Sequence, residues 1–330
     1  MIGFLRRRLA AAALILLVLS LVIFILQAVS PGDPARAYLG ANASNEAVSA
    51  QREALGLNDP LFVRYFRFLG DVCTGDLGRS LRTRQPVTAD LANYLPATVE
   101  LVVAAFILAL VLAALYALSG ALRLPGGGVG RGVLLLLAAA PPFLLALVGI
   151  IVFFGHLGWL PNRGVGNFDD PGPFGMQALD TLLHGQLDAF ADALQHLALP
   201  AAVLAIAPAV AIGRVLRSSL QSVLDVDYVR TARAKGLGEP QVVGRHVIRN
   251  ALGSALSMTG LQLGAMFAGV VVVEQVFSWP GIGNYLAASI PVSDFPAIAG
   301  VTLVLGAIYV VCNAVVDLLQ AAADPRITAE

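Results

Sequence analysis

Asp225-Val226-Asp227-Tyr228-Val229-Arg230-Thr231-Ala232-Arg233-Ala234-Lys235-Gly236-Leu237 is a charged island between long apolar segments. Two acids stand near its start and three bases toward its end, the distribution that complements a helix dipole. Asp225 to Lys235 therefore reads as a helix. Gly236 suits the left-handed position just past a helix end. Glu239-Pro240 offers a new start, with proline where a first turn tolerates it. A second helix is expected from there to about Asn250. Tyr228, Thr231, Ala232 and Lys235 recur at i, i+3, i+4 and i+7 and share one face. The small residues Ala232 and Gly236 on that face would let a partner surface come close.

The flanks decide what the island is. Hydrophobic residues make up 58% of the chain and charged residues 13%, about half the usual globular share of roughly 25%. This is the composition of a membrane protein. Arg6-Arg7-Arg8 precedes an uncharged run from Leu9 to Val29, long enough to span, since a bilayer needs about 20 apolar residues. A secretory signal has the same order but a shorter apolar core, and cleavage after Ser30 would leave Pro31 at the new terminus, so an uncleaved first span is expected. Five more apolar runs follow, at about Ala97–Leu118, Gly132–Phe154, Leu197–Leu216, Ala251–Val273 and Ile298–Leu319. The island is thus a polar hook between the fourth and fifth spans. A helix lying on lipid headgroups has a similar pattern. A DNA-reading helix pair has the same spacing, but tethering on both sides and a net charge of zero argue against nucleic acid.

Arginine and lysine placement gives the orientation. With the N-terminus inside, thirteen basic residues fall on inner segments and eight on outer ones, and seven of those eight sit in one long outer segment. The hook and both termini are therefore expected in the cytoplasm. Pro141-Pro142 opens the third run, and Pro200 and Pro208 lie in the fourth; kinks around a pathway and passive bends are both open readings.

Residues 30–96 carry signals of their own. Pro31-Gly32-Asp33-Pro34 reads as a turn, Glu53–Leu57 and Leu61–Leu69 as short helices broken by Asn58-Asp59-Pro60, and Gly75 to Leu81 as a Gly-punctuated loop. The second outer segment holds His156, His184 and His196 with Asp169, Asp170, Asp180, Asp188 and Asp192. No pair has tight metal-ligand spacing. Asp188, Asp192 and His196 recur at i, i+4 and i+8, which reads as a solvated helix face leading into the fourth span. Glu274 to Gly283 reads as a tight turn with Trp279 at the interface. Glu274, at the end of the fifth span, is either a functional acid able to attract a cationic amino terminus or a hydrogen-bonded structural one. Cys73 and Cys312 form no visible framework.

The hook resembles the cytoplasmic coupling loop of ABC importer permeases, whose general pattern is Glu-Ala-Ala, three residues, Gly. Arg230, Thr231 and Ala232 stand at the first three places and Gly236 at the fourth. The hydrophobic-proline end of that pattern is replaced here by His246 to Arg249, a departure usual in the oligopeptide/dipeptide/nickel group of B-type permeases. Ser30-Pro31-Gly32-Asp33-Pro34, Leu55-Gly56-Leu57-Asn58-Asp59-Pro60, Gly75-Asp76-Leu77-Gly78-Arg79-Ser80, Pro86-Val87-Thr88 and Val273-Glu274-Gln275-Val276-Phe277-Ser278-Trp279-Pro280-Gly281-Ile282-Gly283 resemble the same group, as does the closing Asp317 to Arg326.

The resemblance implies an all-α membrane protein with six transmembrane helices in the type I ABC importer (MetI-like) fold. Residues 1–29 would be a cytoplasmic stub and first span, 30–96 an extracytoplasmic segment, 97–320 the permease core with coupling loop 217–250, and 321–330 a cytoplasmic tail. The outer segment is expected either to sit under the binding protein or to pack on other helices. The implied function is that of a permease subunit in a bacterial inner-membrane importer of oligopeptides or dipeptides, with nickel or a metal chelate, glutathione or haem as alternative cargo. The implied partners are a second, C-type permease, two ABC ATPase subunits, an extracytoplasmic solute-binding protein and the lipid bilayer.

Asp227, Tyr228, Arg230, Thr231, Ala232, Arg233, Ala234, Lys235, Gly236 and Leu237 would couple to the ATPases; Glu274, Phe277 and Trp279 are the candidates for an outer gate or pathway. No cofactor, metal or catalytic residue is expected on this chain. The only lysine, Lys235, lacks the loop of a Walker A motif, so ATP and Mg would bind the partner ATPases. An ion-coupled carrier would need ionisable groups inside the spans, which are nearly free of them; a non-transporting scaffold is the third class.

Overall fold

A computed structural model describes residues 2–29, 34–40, 42–121, 126–166, 172–224 and 226–323. Pro31-Gly32-Asp33, Arg123, Asp169, Asp170, Pro171, Asp225 and Asp324-Pro325-Arg326 lie outside the described residues, as do the side chains of Arg245, His246 and Arg249. The described chain is helical, with one isolated antiparallel bridge between Arg79 and Pro86. The helices are α1 (Ile2–Val29), α2 (Pro34–Leu39), α3 (Asn45–Ala54), α4 (Leu61–Thr74), α5 (Val87–Ala121), α6 (Gly127–Ala138), α7 (Pro142–Gly149), α8 (Gln177–Leu183), α9 (Leu187–Leu224), α10 (Asp227–Ala234), α11 (Glu239–Val242), α12 (Ile248–Phe277), α13 (Ile282–Ser289) and α14 (Phe295–Ala323). π-Helical turns continue α7 through Ile150–His156 and join α11 to α12 through Val243–Val247.

Among the described residues five helices are long and apolar enough to cross a bilayer: α1, α5, α9, α12 and α14. The third expected span is not one straight run. α6 and the helix from Pro142 to His156 meet at 112°, the geometry of a broken span, which would make six, or of a re-entrant loop. The break lies at Pro141-Pro142, because proline lacks an N–H and disfavours helical backbone in the residue before it. Gly126-Gly127-Gly128 reads in the sequence as a turn; Gly126, with φ +74°, sits just before α6, but Gly127 and Gly128 are helical.

Two other boundaries move outward from the apolar runs. α5 starts ten residues before Ala97, at Val87, and carries Pro96 inside it. Its first turns are polar on one side, yet Val87 and Leu91 are buried, so a search for uninterrupted apolar sequence misses them. α9 has 38 residues, about 57 Å at 1.5 Å per residue, far more than the roughly 30 Å of a hydrocarbon core. Pro200 and Pro208 both lie within it without ending it.

The chain divides into two compact units, residues 2–96 with 281–307, and residues 97–280 with those from 308 on. In the larger unit α9 packs chiefly on α12, with α6, α7 and α8 also against α9. Small residues bring helices together there. A Cβ on Gly264 would lie 2.5 Å from the Tyr309 ring, and one on Gly213 would lie 3.0 Å from Tyr116. In the smaller unit Val87, Leu91, Ile282, Tyr285, Ala297 and Val301 form one buried cluster, and Ile23, Ala299 and Leu303 form another. Phe24 of α1 meets Tyr65 and Phe68 of α4, at ring separations of 5.4 and 6.0 Å.

Candidate functional site

The hook is helix, glycine turn, helix. α10 runs from Asp227, in its first turn, to Ala234, with Arg233 in its last turn. Gly236 has φ +83°. Gly236 N–H donates to the Arg233 carbonyl and Leu237 N–H to the Ala232 carbonyl, at 2.9 and 3.4 Å. These are the paired bonds that close a helix over a left-handed residue. The Thr231 hydroxyl donates to the Asp227 carbonyl at 2.9 Å. The Arg230–Asp227 pair, at 3.5 Å, is exposed on both sides and contributes little.

The second helix does not stop near Asn250, as the polar run from Arg245 suggested. It passes from α11 through the π turn into α12 without a break. The π turn has a physical role. Val242 and Val247 are five residues apart, a spacing that an α-helix would turn to different faces but that a wider π turn aligns. Val242, Val247 and Ala251 are all buried in one cluster with Ala117, Leu220, Val229 and Ala232. The hook is therefore seated on the ends of α5, α9 and α12. The Asn250 amide also donates to the Tyr228 hydroxyl at 3.1 Å.

This packing divides the expected coupling residues. Val229 and Ala232 point inward, at 0% and 6% exposure. The close-approach role expected for Ala232 is thus corrected, since its methyl already meets the chain's own core. Asp227, Tyr228, Arg230, Thr231, Arg233, Ala234, Lys235, Gly236 and Leu237 are exposed. Tyr228, Thr231 and Lys235 remain at i, i+3 and i+7 on the outer side.

Glu274, Phe277 and Trp279 are brought together, but none faces an opening. All three are at most 2% exposed. The Thr98 hydroxyl donates to Glu274 Oε1 at 2.6 Å, and Trp279 Nε1 donates to the Ala97 carbonyl at 2.9 Å. Trp279 thus sits in the protein interior and not at an interface. Ser278 takes φ +50° to make the turn, and Trp279 N–H returns to the Glu274 carbonyl at 2.8 Å. The Phe277 carbonyl accepts from Gly164 N–H at 3.0 Å. Of the two readings of Glu274, this geometry is that of a hydrogen-bonded structural acid.

Sequence reasoning missed the neighbour on the same helix. The Glu100 carboxylate accepts from the backbone N–H groups of Gln177, Ala178 and Leu179 at 3.0, 2.7 and 3.3 Å. It caps the start of α8 from another helix, an arrangement with no local sequence signal. A second missed network lies in the smaller unit. Asp90 accepts from the Thr83 hydroxyl at 2.6 Å and from the Tyr285 hydroxyl at 2.8 Å. Asp294 accepts from the Ser80 hydroxyl and from Arg82 N–H. The Arg82 guanidinium stands 5.0 Å over the Tyr285 ring, and Tyr94 stacks on that ring at 5.1 Å. Burial, with the Asp90 and Asp294 carboxylates nearby, pushes the Tyr285 phenol well above its ordinary value, so it stays a donor.

Among the described residues no three histidine, cysteine or acidic side chains converge as a metal site. His184 and His196 each meet the carbonyl four residues back, at 2.7 and 2.9 Å. His196 also lies 3.5 Å from Asp192, as one helix face predicts.

Comparison with known proteins gives two family matches and three relatives. Residues 126–329 match the binding-protein-dependent transport system inner membrane component family, and residues 1–102 match its N-terminal membrane-component family. The chain is 38% identical to the dipeptide transport system permease protein DppB of Alkalihalophilus pseudofirmus, over 99% of both chains. It is 40% identical to the probable D,D-dipeptide transport system permease protein DdpB of Escherichia coli K12, over 98% of this chain and 96% of the other. It is 38% identical to the di/tripeptide transport system permease protein DppB of Pseudomonas aeruginosa, over 99% of both.

Proposed function

This chain belongs to the binding-protein-dependent transport system inner membrane component family, and on that premise we propose that it is the permease subunit of an ATP-driven importer of short peptides. It contributes half of a translocation pathway and carries no ATPase site of its own. A second permease supplies the other half, two ATPase subunits bind ATP and Mg, and a solute-binding protein delivers peptide from outside. Both termini and the hook lie in the cytoplasm, the side that the arginine distribution favours. Residues 30–96 form an extracytoplasmic segment, and residues 97–320 form the permease core.

The observation that carries this reading is the seating of the hook. α10 is short, its inner face is buried against Leu220, Val247 and Ala251, and its outer face offers Tyr228, Thr231 and Lys235. A push on that outer face passes directly into α9, which it follows, and into α12, with which α11 is continuous. That is what a lever between an ATPase and a membrane pathway requires. ATP binding would draw two such hooks together and open the pathway outward, an alternating-access cycle.

The test is uptake of a labelled dipeptide by the reconstituted importer carrying Gly236→Val. Gly236 has φ +83° and open space around its Cα, so the substitution strains the turn without a clash. Uptake should fall, and ATP hydrolysis should no longer respond to the binding protein. Unchanged uptake and unchanged response would contradict the lever.

A further inference from the structure

The smaller unit contains a cavity of about 670 Å³, apart from the hook and from the Glu274 turn. Its wall is drawn from α1, α2, α4, the loop at 76–81 and the start of α14. Phe68 and Pro296 represent its largely apolar lining, and four charged residues stand around them, Arg36, Asp71, Asp76 and Arg79. The volume falls within the range of about 300–1,000 Å³ usual for small-molecule sites.

The charges select the ligand. Arg36 donates one N–H to Asn45 Oδ1 and Arg79 one to the Arg84 carbonyl, each at 2.9 Å. A guanidinium has five donors, so both keep donors for an anion. Asp76 accepts from Gly78 N–H through Oδ1 at 2.8 Å, which leaves its other oxygen for a cation. All four are exposed, and an acyl chain would answer none of them. A simple anion would meet two carboxylates, and a simple cation two guanidiniums. A small molecule with an ammonium group, a carboxylate and apolar substituents between them satisfies all of the wall.

We propose that this cavity is a binding site for a short zwitterionic peptide, with Asp71 and Asp76 receiving its amino terminus and Arg36 and Arg79 its carboxylate. This deepens the reading of the chain as a peptide-importer subunit and rests on it. Such a site would let the chain itself hold cargo that a binding protein releases. Phosphatidylethanolamine headgroups share the ammonium-plus-anion chemistry, and the experiment separates the two sources.

The experiment uses the whole importer in phosphatidylglycerol nanodiscs, without binding protein, and measures equilibrium binding of radiolabelled Ala-Phe. Saturable binding is expected. Asp71→Asn and Arg79→Gln should each weaken it about tenfold, the loss of one charge-assisted contact, and acetyl-Ala-Phe-amide should not compete. Asp71 is exposed, so Asp71→Asn reads the site even if Arg79→Gln disturbs assembly. Binding that ignores both substitutions or is matched by the capped peptide overturns the proposal. So does phosphatidylethanolamine that displaces the peptide and co-purifies with the complex. If wild-type importer takes up Ala-Phe in the presence of binding protein while this binding is absent, only the cavity assignment fails. If ATP-driven peptide uptake is itself absent, the reading beneath it fails.

Discussion

The Thr98 hydroxyl donates to Glu274 Oε1 at 2.6 Å, joining α5 to the last turn of α12 inside a region closed to solvent. One turn further on, Trp279 Nε1 reaches the Ala97 carbonyl on the same short stretch of α5. The motif running from Glu274 to Gly283 is therefore held by two polar bonds to adjacent residues of one helix. Each is enclosed, and each loses more when one partner is removed than when both are.

Thr98→Ala and Glu274→Ala should each destabilise the folded chain by about 1–3 kcal/mol, the cost of losing an enclosed hydrogen bond to a carboxyl group. The double variant should cost less than the sum of the two, because both single changes remove the same contact. Thermal unfolding of the purified complex measures this; strictly additive losses would show that the pair does not interact.

The chain has two tryptophans, and they differ sharply in environment. Trp159 is 66% exposed and Trp279 is 1% exposed. A Trp159→Phe variant should therefore show blue-shifted emission that iodide does not quench. Trp279→Phe keeps the ring but loses the bond to Ala97, and should lower stability by about 0.5–1.5 kcal/mol. Ready quenching of Trp279 would place it at a surface and contradict the enclosed turn.

Tyr285 gives a pH dependence with a definite sign. Its phenol is raised above an ordinary value of about 10, so the folded chain holds that proton more tightly than the unfolded chain does. The stability it contributes is fully present below the unfolded value and is lost as pH rises through the folded one. In absorbance titration at alkaline pH, one tyrosine should ionise only as the protein unfolds, and Tyr285→Phe should remove that component. Early ionisation of all tyrosines would refute the burial of this hydroxyl between Asp90 and the Tyr94 ring.

Ala232 sits in the hook's buried inner cluster, with Leu220, Val229 and Val247. Ala232→Leu should cost about 1–3 kcal/mol through overpacking and reduce the yield of assembled complex. Thr231→Ala, on the exposed face, should leave folding unchanged. Equal tolerance of both changes would mean that α10 is not seated on Leu220 and Val247.

The sequence made some of this legible for plain physical reasons. Apolar runs and the positions of Arg6-Arg7-Arg8 mark spans, because a bilayer demands about 20 apolar residues and leaves no local alternative. Gly236 marks the hook's turn, because positive φ favours glycine. Pro141-Pro142 was visible as an irregularity, but its 112° bend depends on packing that no local pattern carries. The start of α5 at Val87 was hidden for the same reason: Asp90 reads as a loop residue until its partners Thr83 and Tyr285 are known. Ala232 was placed on the right helix but the wrong side, since i, i+4 spacing groups residues without saying which group is buried. Glu100 reads in the sequence only as an acid near a span end, because the N–H groups it satisfies lie 77 to 79 residues away.

The central claim is that the exposed face of α10 is gripped by an ATPase subunit. The most direct measurement places a photo-crosslinking benzoylphenylalanine at Lys235, on that face, and at Val229, on the buried face, in the assembled importer. Lys235 should crosslink to the ATPase, with a yield that changes when ATP and Mg are added, while Val229 should crosslink only within its own chain. Crosslinking of Lys235 to lipid alone, or an absence of ATPase adducts from a complex that still hydrolyses ATP, would contradict the claim.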